Sequence, residues 1–508
     1  MEPGKFCYFG LKRMLTHILT RNSDQPLQNN CGNLQFGIDG VPLAKSSGNS
    51  FWPILVKLKE YPDVLPVACY EGAGKPPDIH IYLQEFITEL DDVLKNPITW
   101  NDVEIHMKLS AFIMDSPAKS YVLDIKGHTG FYSCPKCITK GIHVQHRTTF
   151  PEINEQLRTD ESFLDLTDQH HLRANQHCPL VSIGVGCVSQ IPIDYMHNVL
   201  LGVFRSLVKR WCAGPYYLNE AKKDAIDKRI KTVAKQKCID FAREPRSLAY
   251  IKLFKATEWR YLLLYLGPFM FVDILEPVYY QHYLKLHCGI RILCHPVLYR
   301  TKNELAMNLI MAFANDFMNL YGRQYFVFNY HVLTHLADDC MLHGPLDEFS
   351  AFPFENFLQV VLRYRKPGSR QLEQFQNRLN EQLTFNQQCR TPIIRERANS
   401  YSRITNGKNI CITVQGNDRF VYQDNSIFVV REILKLNNRF ILQCNKIMNL
   451  AAMYLDPMDS KILGVYCSGN FSFDQESIQL EADAIMKVQH LNLGSLFGFI
   501  VILHSSSC

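Results

Sequence analysis

Three acidic side chains lie where a strand or helix pattern begins or ends. Asp39 ends the apolar pattern at residues 34–39, and Asp115 directly follows the pattern at residues 109–114. Glu355 falls in the first turn of an amphipathic helix pattern, among aromatic residues. Carboxylate oxygens are preferred ligands of Mg²⁺, and paired divalent ions promote phosphoryl transfer. The three acids therefore form a candidate catalytic site for phosphodiester chemistry.

Each acid also has an ordinary structural interpretation. An aspartate before a glycine, as at Asp39, is typical of a turn. Asp115 precedes Ser116 and Pro117, a pair typical of a helix start. A glutamate in a first helical turn, as at Glu355, interacts favourably with the helix dipole. The catalytic hypothesis therefore requires all three acids to meet in the fold.

Two cysteines, Cys134 and Cys137, have the spacing of a zinc knuckle. Thiolates two residues apart can bind one tetrahedral Zn²⁺, which then needs two further ligands. A redox function is disfavoured, because no thioredoxin-like pattern surrounds the pair. The sequence offers more candidates for the remaining ligands than the ion requires: His128, His146, His170, His171, Cys178, Cys187 and His197.

Two further histidine patterns have open interpretations. Asp194 and His197 are three residues apart at a predicted helix start, where an N-cap aspartate beside a packed histidine is an equal alternative to a metal site. His331 and His335 are one helical turn apart but lack the glutamate of the HExxH zinc-protease pattern. We interpret this second pair as structural or close to DNA rather than as metal ligands.

A group of basic residues with one tryptophan mixes charge and aromatic surface, as surfaces that bind a phosphate backbone do. A solvated helix face explains the same composition equally well. The group comprises Arg243, Arg246, Lys252, Lys255, Trp259 and Arg260.

The order of the patterns predicts the first part of the fold. Strand patterns at residues 34–39, 52–57 and 64–69 precede a helix at 81–93, a strand at 109–114 and a helix from residue 117. This is the order of a ribonuclease H-like α/β core, in which the first and fourth strands are neighbours. Asp39 and Asp115 would then face each other.

The residue patterns in the rest of the chain predict that other domains interrupt and follow the core. The predicted ranges are an N-terminal remnant at 1–30, the first part of the core at 31–130, a Cys/His-rich zinc-binding insert at 131–192, an all-helical insertion at 193–325, the last part of the core with Glu355 at 326–400, and a small β domain at 406–508.

Composition restricts the class of protein. The 508 residues are 47% hydrophobic and 20% charged, which is ordinary for a folded protein, and the net charge of +5 permits nucleic-acid binding without requiring it. The odd number of 17 scattered cysteines favours a reducing compartment over a disulfide framework. The apolar windows are too short to span a bilayer, so we expect an intracellular protein without a membrane partner.

Five strings, in this order, resemble CACTA-type (EnSpm-type) DNA transposases, and among them the animal transposase-domain proteins. The resemblance covers roughly residues 5–400. The strings are IDGVPLAKSSGNSFWPIL, AFIMDSPAKSYVLDIKGHTGFYSCPKC, IPIDYMHNVLLGV, REPRSLAYIKLFKATEWRYLLLYLGP and NYHVLTHLADDCMLHGPLDEFSAFPFENFL.

The resemblance implies a DDE nuclease and strand transferase. The family's DG motif falls on Asp39, its second acid on Asp115 and its PFE motif on Glu355, which together would hold two Mg²⁺ or Mn²⁺ ions. The family's CxxC falls on Cys134 and Cys137, its DxxH on Asp194 and His197, and a His-Arg pair on His146 and Arg147. For structural zinc we therefore select Cys134, Cys137, His146 and His197.

Such enzymes bind transposon ends, hydrolyse a phosphodiester to free a 3′-hydroxyl, and use it to attack target DNA. The implied partners are DNA ends, target DNA and further copies of the chain in the nucleus. We expect Arg246, Lys255, Trp259 and Arg260 to contact a distorted DNA end. The family's upstream DNA-binding segment is expected to be missing, which keeps open a catalytically silent DNA- or chromatin-binding protein. A zinc-dependent hydrolase is disfavoured, because the CxxC resembles a structural site.

Overall fold

A seven-stranded sheet forms the centre of the first of two compact units. The computed structural model describes residues 2–44, 47–174, 177–213, 218–364, 370–384, 394–397, 400–406, 410–437 and 439–504. Unit 1 comprises Met1–Asn198 and Met318–Gln388, and unit 2 comprises Val199–Phe317 and Cys389–Cys508.

The sheet of unit 1 has the order β1-β5-β4-β2-β7-β6, with β3 paired to β4. Only β2 and β7 run parallel, with Gly37 opposite Ile113, so their carboxyl ends lie at the same edge. The strands are β1 (Lys5–Tyr8), β2 (Cys31–Ile38), β3 (Val41–Ala44), β4 (Ser47–Leu58), β5 (Val64–Ala73), β6 (Ile98–Trp100) and β7 (Val103–Ile113).

Helices surround this sheet, and the sequence explains where they begin. Ile79–Lys95 starts after Asp78, whose carboxylate accepts hydrogen bonds from the amides of His80 and Ile81. Its apolar residues recur at helical spacing and are buried. The other unit 1 helices are Leu11–Arg21, Ser116–Val122, Asp160–Leu164, Phe328–Val332, Leu336–His343, Phe352–Tyr364 and Gln371–Thr384, and a short hairpin joins Ile142–Val144 to Arg147–Thr149.

The N-terminal segment, predicted as a remnant of a longer upstream region, forms part of unit 1. The strand β1 pairs antiparallel with β5. The helix Leu11–Arg21 buries one whole apolar face, formed by Leu11, Met14, Leu15, Ile18 and Leu19. The amphipathic repeat at residues 11–19 of the sequence matches this buried face.

Replacing Leu15 with alanine should therefore destabilise the protein by about 2–5 kcal/mol, because a fully buried leucine leaves a cavity. The matched change Thr16→Ala, on the exposed side of the same helix, should cost less than about 0.5 kcal/mol. Urea unfolding curves of the two variants and the parent provide the measurement. Equal midpoints for all three proteins would contradict the inclusion of this helix in the core.

Unit 2 combines helices with an eleven-stranded sheet. Its helices are Arg205–Ala213, Glu220–Ala234, Ala256–Tyr261, Leu262–Leu266, Gly267–Phe271, Pro277–Cys294 and Leu298–Thr301, while Met196–Phe204 and Asn303–Tyr321 cross the unit boundary. Its strands are Ile394–Arg397, Ser400–Thr405, Cys411–Thr413, Phe420–Gln423, Ser426–Leu436, Arg439–Met448, Ala451–Ala452, Val465–Ser468, Ser472–Glu481, Met486–Asn492 and Phe497–Val501.

Two predicted boundaries in this region are corrected. Among the described residues, strands of the β region already lie at Ile394–Arg397 and Ser400–Thr405, upstream of the predicted start at residue 406. The sequence pattern did not indicate Ile394–Arg397, because that stretch lacks apolar alternation. The helical insertion and the β region also pack together rather than forming separate domains. The guanidinium of the fully buried Arg291 donates to the carbonyls of Leu463 and Val501, at 2.7 and 3.0 Å. None of the described helices combines the length and apolarity needed to cross a membrane.

Candidate active site and candidate metal centre

Four ionisable side chains of unit 1 line one pocket, which we call the acid pocket: Asp39, Asp115, His197 and Glu355. Asp39 follows β2, and Asp115 lies just beyond β7. Glu355 lies in the first turn of Phe352–Tyr364. The three acids, which are far apart in the sequence, therefore meet at the edge of the sheet where the parallel strands β2 and β7 end.

The Glu355 helix reaches this edge because β2 makes room for it. A Cβ atom on Gly37 would lie 2.5 Å from the ring of Phe354, so only glycine allows this close approach. The buried amide of Gln35 donates to the carbonyl of Glu348 at 2.7 Å and holds the preceding turn against the same strand. Glu355 is thereby placed beside Asp39.

Both aspartates also have the structural roles that the sequence suggests. Asp39 Oδ1 accepts a hydrogen bond from the amide of Gly40 at 2.7 Å. Asp115 Oδ1 caps the helix Ser116–Val122 by accepting from the amide of Ala118 at 2.7 Å. These bonds fix the orientation of each carboxylate at the pocket, so structural and catalytic interpretations are compatible.

The acid pocket concentrates negative charge. Burial, followed by the neighbouring Asp115 and Glu355 carboxylates, raises the pKa of Asp39 well above its usual range. Like charges at this separation oppose simultaneous ionisation unless a cation neutralises them. The carboxylate oxygens of this pocket are donors that a hard divalent cation prefers.

His197 joins the acids through a buried aspartate. Its Nδ1 lies 2.7 Å from Asp194 Oδ2, and its Nε2 lies 3.5 Å from Glu355 Oε1. Burial alone would lower the pKa of His197, but the hydrogen bonds to both carboxylates raise it well above its usual value. One ligand atom each from Asp39, His197 and Glu355 lies within 4.8 Å of the others.

Asp194 also fixes the position of the Glu355 helix. Its Oδ1 accepts from the amide of Ala351 at 2.8 Å, immediately before that helix. Burial would raise the pKa of Asp194, yet the hydrogen bond to His197 and the backbone amides lower it, which favours the carboxylate. Asp194 therefore holds both His197 and the start of the Glu355 helix, and its carboxylate accepts from the amide of His197 at 2.9 Å as an N-cap does, whereas the metal role of the pair stays a prediction.

A second group of potential ligands, the Cys₂His₂ cluster, consists of Cys134, Cys137, His331 and His335. All four side chains are buried, and one ligand atom from each lies within 4.8 Å of the others. Cys137 Sγ is 3.2 Å from His331 Nε2, and Cys134 Sγ is 3.6 Å from His335 Nε2. Two thiols and two imidazoles are a donor set for one tetrahedral structural Zn²⁺. Each cysteine in the described ranges is an unbridged thiol.

The structure does not bring the predicted zinc ligands His146 and His197 to the cysteines. It places His331 and His335 there, the pair that we interpreted as structural or close to DNA. His146 is exposed, with a φ of +62°, at the turn between two short strands, while His197 belongs to the acid pocket. His331 and His335 approach the cysteines from 194 and 201 residues away. Their spacing of four residues, which places both imidazoles on one helix face, was the available signal.

A buried ion pair connects the two groups of residues. Lys136, between the two cysteines, donates to Asp339 Oδ1 at 2.6 Å. Asp339 Oδ2 accepts from the amide of Ile193 at 2.8 Å, one residue before Asp194. The cluster therefore supports the segment that orients His197.

The predicted DNA contacts at Trp259 and Arg260 are corrected. Both side chains are buried, with 0% and 3% exposure, so neither is available to stack on or clamp DNA. Trp259 packs edge-on against Phe204 at 5.8 Å. Arg246 forms a two-pronged ion pair with Glu258, at 2.6 Å for each bond, and Lys255 is exposed. The charged and aromatic residues of this segment therefore lie on a helix whose side chains are mostly buried in the core.

Trp259→Ala should therefore cost stability rather than DNA selectivity. Removing a fully buried indole is expected to destabilise unit 2 by about 3–5 kcal/mol. The control Tyr250→Ala, at a side chain that is 56% exposed, should change stability little. Thermal unfolding measures the first effect. A stable Trp259→Ala variant that loses binding only to melted DNA ends would restore the original hypothesis.

Comparison with known proteins gives one partial match. A family model described as a domain of unknown function (DUF8592) matches residues 387–496. This segment belongs to the β region of unit 2 and includes no residue of the acid pocket or of the Cys₂His₂ cluster. No curated protein matches the chain.

Proposed function

We propose that the chain is a transposase-like or transposase-derived protein of the CACTA type, with metal-dependent DNA phosphodiester hydrolysis and strand transfer at the acid pocket. The observation that carries this proposal is the convergence of Asp39, Asp115 and Glu355 on one pocket. Acids that served only as turn and cap residues would not need to converge on one pocket. Their convergence is unfavourable in itself, because repulsion between the carboxylates destabilises the ionised form of Asp39.

The strand arrangement supports the proposal. The segment β5-β4-β2-β7 of the sheet, with only β2 and β7 parallel, has the strand order expected of a ribonuclease H-like core. In chain order β2 is the first of these four strands and β7 is the fourth. Asp39 follows β2 and Asp115 follows β7, as the DDE hypothesis requires. The resemblance to CACTA-type transposases predicts the same three acids from sequence motifs.

In the proposed reaction, Asp39, Asp115 and Glu355 would hold Mg²⁺ or Mn²⁺ and orient the scissile phosphate. Bound divalent ions supply charge neutralisation at phosphorus and activate the attacking oxygen. Asp39 and Asp115 are prepositioned by their amide hydrogen bonds, and Asp194 orients His197 against Glu355. Water attacks phosphorus and the P–O3′ bond breaks; the proton lost by water balances the one taken up by O3′, which leaves a 3′-hydroxyl and a 5′-phosphate. In strand transfer that 3′-oxygen bonds to a phosphorus of target DNA and loses its proton, while the P–O3′ bond of the target breaks and its O3′ leaves as a hydroxyl.

Zinc at the Cys₂His₂ cluster, DNA as partner, assembly of further copies and a nuclear location complete the proposal. The cluster joins two distant segments of unit 1 through four buried ligands, which favours a structural ion. Its link through Lys136 and Asp339 to Ile193 explains why a nuclease would need it.

A catalytically silent DNA- or chromatin-binding protein is the second candidate. It is favoured by the contact between His197 and Glu355, because a protonated imidazole already neutralises part of the charge in the acid pocket. Such a protein would keep its fold and its zinc without needing the divalent ions.

The test is nicking of supercoiled plasmid by the purified full chain in Mg²⁺ or Mn²⁺. Asp115→Asn is the decisive variant, because asparagine caps a helix as well as aspartate and leaves the fold intact. The matched control is Asp78→Asn, which changes the equivalent cap of Ile79–Lys95 away from the pocket. We expect nicking by the parent and by Asp78→Asn, and loss of at least about 100-fold in Asp115→Asn.

Two results would reject the nuclease. A folded, zinc-loaded parent that shows no nicking in either metal would favour the silent protein. Undiminished nicking by Asp115→Asn would assign the activity to another site or to a contaminant.

A further inference from the structure

A lysine beside the helix that Asp115 caps has a defined position. Lys75 belongs to the loop between β5 and the helix Ile79–Lys95, and its side chain is exposed. Its ammonium group donates to the carbonyl of Pro117 at 2.9 Å. The same group lies 5.6 Å from the ring centre of Trp52 and 5.4 Å from that of Tyr121. Cation–π contacts with two rings restrict an otherwise flexible side chain.

The two rings tie Lys75 to both catalytic aspartates. Trp52 and Tyr121 pack against each other with ring centres 5.7 Å apart. A Cβ atom on Gly40, the residue after Asp39, would lie 2.5 Å from Trp52. Tyr121 belongs to the helix that Asp115 caps. The ammonium of Lys75 is therefore held in a fixed relation to the turn of Asp39 and to the helix of Asp115.

A second exposed cation, Arg173, is fixed to the same helix. Its amide donates to the carbonyl of Asp124 at 3.0 Å, beside an antiparallel bridge between Ile125 and Leu172. Its guanidinium donates to Ser120 Oγ at 3.4 Å, next to Tyr121. Backbone pairing thus holds Arg173 beside the Asp115 helix.

Both cations reach the same turn of the Asp115 helix: Ser120 Oγ, which accepts from Arg173, itself donates at 3.1 Å to the Pro117 carbonyl that accepts from Lys75. Burial and then the Arg173 charge lower the pKa of Lys75, while Asp115 and Asp39 act in the opposite direction. Two neighbouring cations repel each other, and an anion between them relieves that repulsion. Lysine has three N–H donors, of which the Pro117 carbonyl uses one.

We propose that Lys75 and Arg173 bind a backbone phosphate of the nucleic-acid strand that enters the acid pocket, next to the phosphate that reacts. This inference rests on the proposed function and names the residues that position its substrate. The pocket binds the reacting phosphate through cations, whereas the adjacent phosphate needs protein donors, which charged side chains supply best. Lys75 and Arg173 are thus positioning residues rather than catalytic ones.

The competing explanation is that Lys75 serves only as a counterion for the carboxylates of the acid pocket. Removing a nearby positive charge would then tighten divalent-ion binding and leave DNA affinity unchanged. A phosphate contact predicts the opposite pattern, because the lost charge weakens DNA binding and reduces its dependence on salt.

The test is binding of a fluorescein-labelled DNA duplex of mixed sequence to the full chain in Ca²⁺ buffer over a series of salt concentrations. Lys75→Met keeps the apolar stem over the rings, and Arg173→Gln keeps a donor for Ser120. Each is expected to weaken binding about 10-fold and to reduce the slope of log affinity against log salt by about 1. Lys75→Arg should restore both values. The control Lys95→Met changes a lysine whose side chain is 69% exposed at the far end of the helix Ile79–Lys95, which follows the Lys75 loop, and should behave as the parent.

The outcomes separate this inference from the proposed function. A parent that nicks plasmid while Lys75→Met and Arg173→Gln keep the parental salt slope overturns the phosphate site and leaves the nuclease intact. A parent that binds DNA with the expected slopes but never nicks supports the phosphate site and rejects the nuclease. Tighter Mn²⁺ binding by Lys75→Met at unchanged DNA affinity, or a parent that binds no DNA, also overturns the site.

Discussion

Cys137→Ser is expected to yield a chain without zinc and with a much less stable unit 1. The Cys₂His₂ cluster joins the loop of Cys134 and Cys137 to His331 and His335, about two hundred residues further along the chain. A metal ion that closes such a long loop and binds only the folded state contributes its binding free energy to folding. Loss of one ligand should therefore cost more than about 4 kcal/mol.

The measurement combines elemental zinc analysis of the purified chain with urea unfolding. Cys178→Ser is the matched control, because Cys178 is also buried and lies 3.5 Å from the thiol of Cys187, yet belongs to neither group of ligands. His146→Asn provides a second control, since the sequence had suggested that residue as a ligand. Both should retain one zinc per chain. Zinc lost from His146→Asn but kept in Cys137→Ser would contradict the assigned cluster.

The core strands of unit 1 were predictable from the sequence. Their apolar residues either form continuous runs or alternate with polar residues, and the apolar positions are the buried ones. The structure has strands at each position predicted between residues 34 and 114, and a helix at Ile79–Lys95. The N-terminal helix was also recognisable, because its apolar residues, including Met14 and Ile18, recur at helical spacing between polar residues. Amphipathic elements at the edge of a sheet therefore need the helical period, not mean hydropathy, to be recognised.

The local motifs predicted which types of residue could bind a metal better than they predicted which residues share one site. The spacing of Cys134 and Cys137 indicates a metal site, but nothing in a linear sequence says which of many histidines folds against it. His331 and His335 reach the cysteines only through packing of unit 1, so their role depends on tertiary structure. The family resemblance pointed to His146 and His197 because its His-Arg and DxxH motifs fall on them, but a motif match does not say which residues meet in the fold.

The DNA contacts predicted for Trp259 and Arg260 are incompatible with the burial of both side chains. A mixture of arginine and tryptophan on a helix is compatible with a DNA-binding face and with a core helix, since both residues combine apolar surface with hydrogen-bond donors. Composition cannot distinguish these cases. In the fold, the sequence neighbours Trp259 and Arg260 are both buried, whereas Lys255, one turn earlier, is exposed.

The second large effect is expected at Glu355. Glu355→Gln keeps the shape of the side chain but removes one negative charge from the acid pocket, where Asp39 and Asp115 supply the others. If Glu355 holds a divalent ion, nicking should fall by more than about 100-fold, because loss of a direct ligand exceeds the effect of losing an outer partner. Glutamine binds Mg²⁺ more weakly than a carboxylate and cannot neutralise it.

Glu373→Gln separates this role from an ordinary helix-dipole effect. Glu373 lies in the first turn of Gln371–Thr384, as Glu355 does in the first turn of Phe352–Tyr364. Both substitutions remove a favourable charge from a helix N-terminus, which is worth about 0.3–1 kcal/mol at each site. Glu373 also pairs with Lys5 at the surface, so its replacement should cost at least as much stability. Plasmid nicking and thermal unfolding of both variants, measured side by side, should show similar stabilities and activity lost only in Glu355→Gln. Equal activity in the two variants would mean that Glu355 serves its helix alone and that the acid pocket lacks its third ligand.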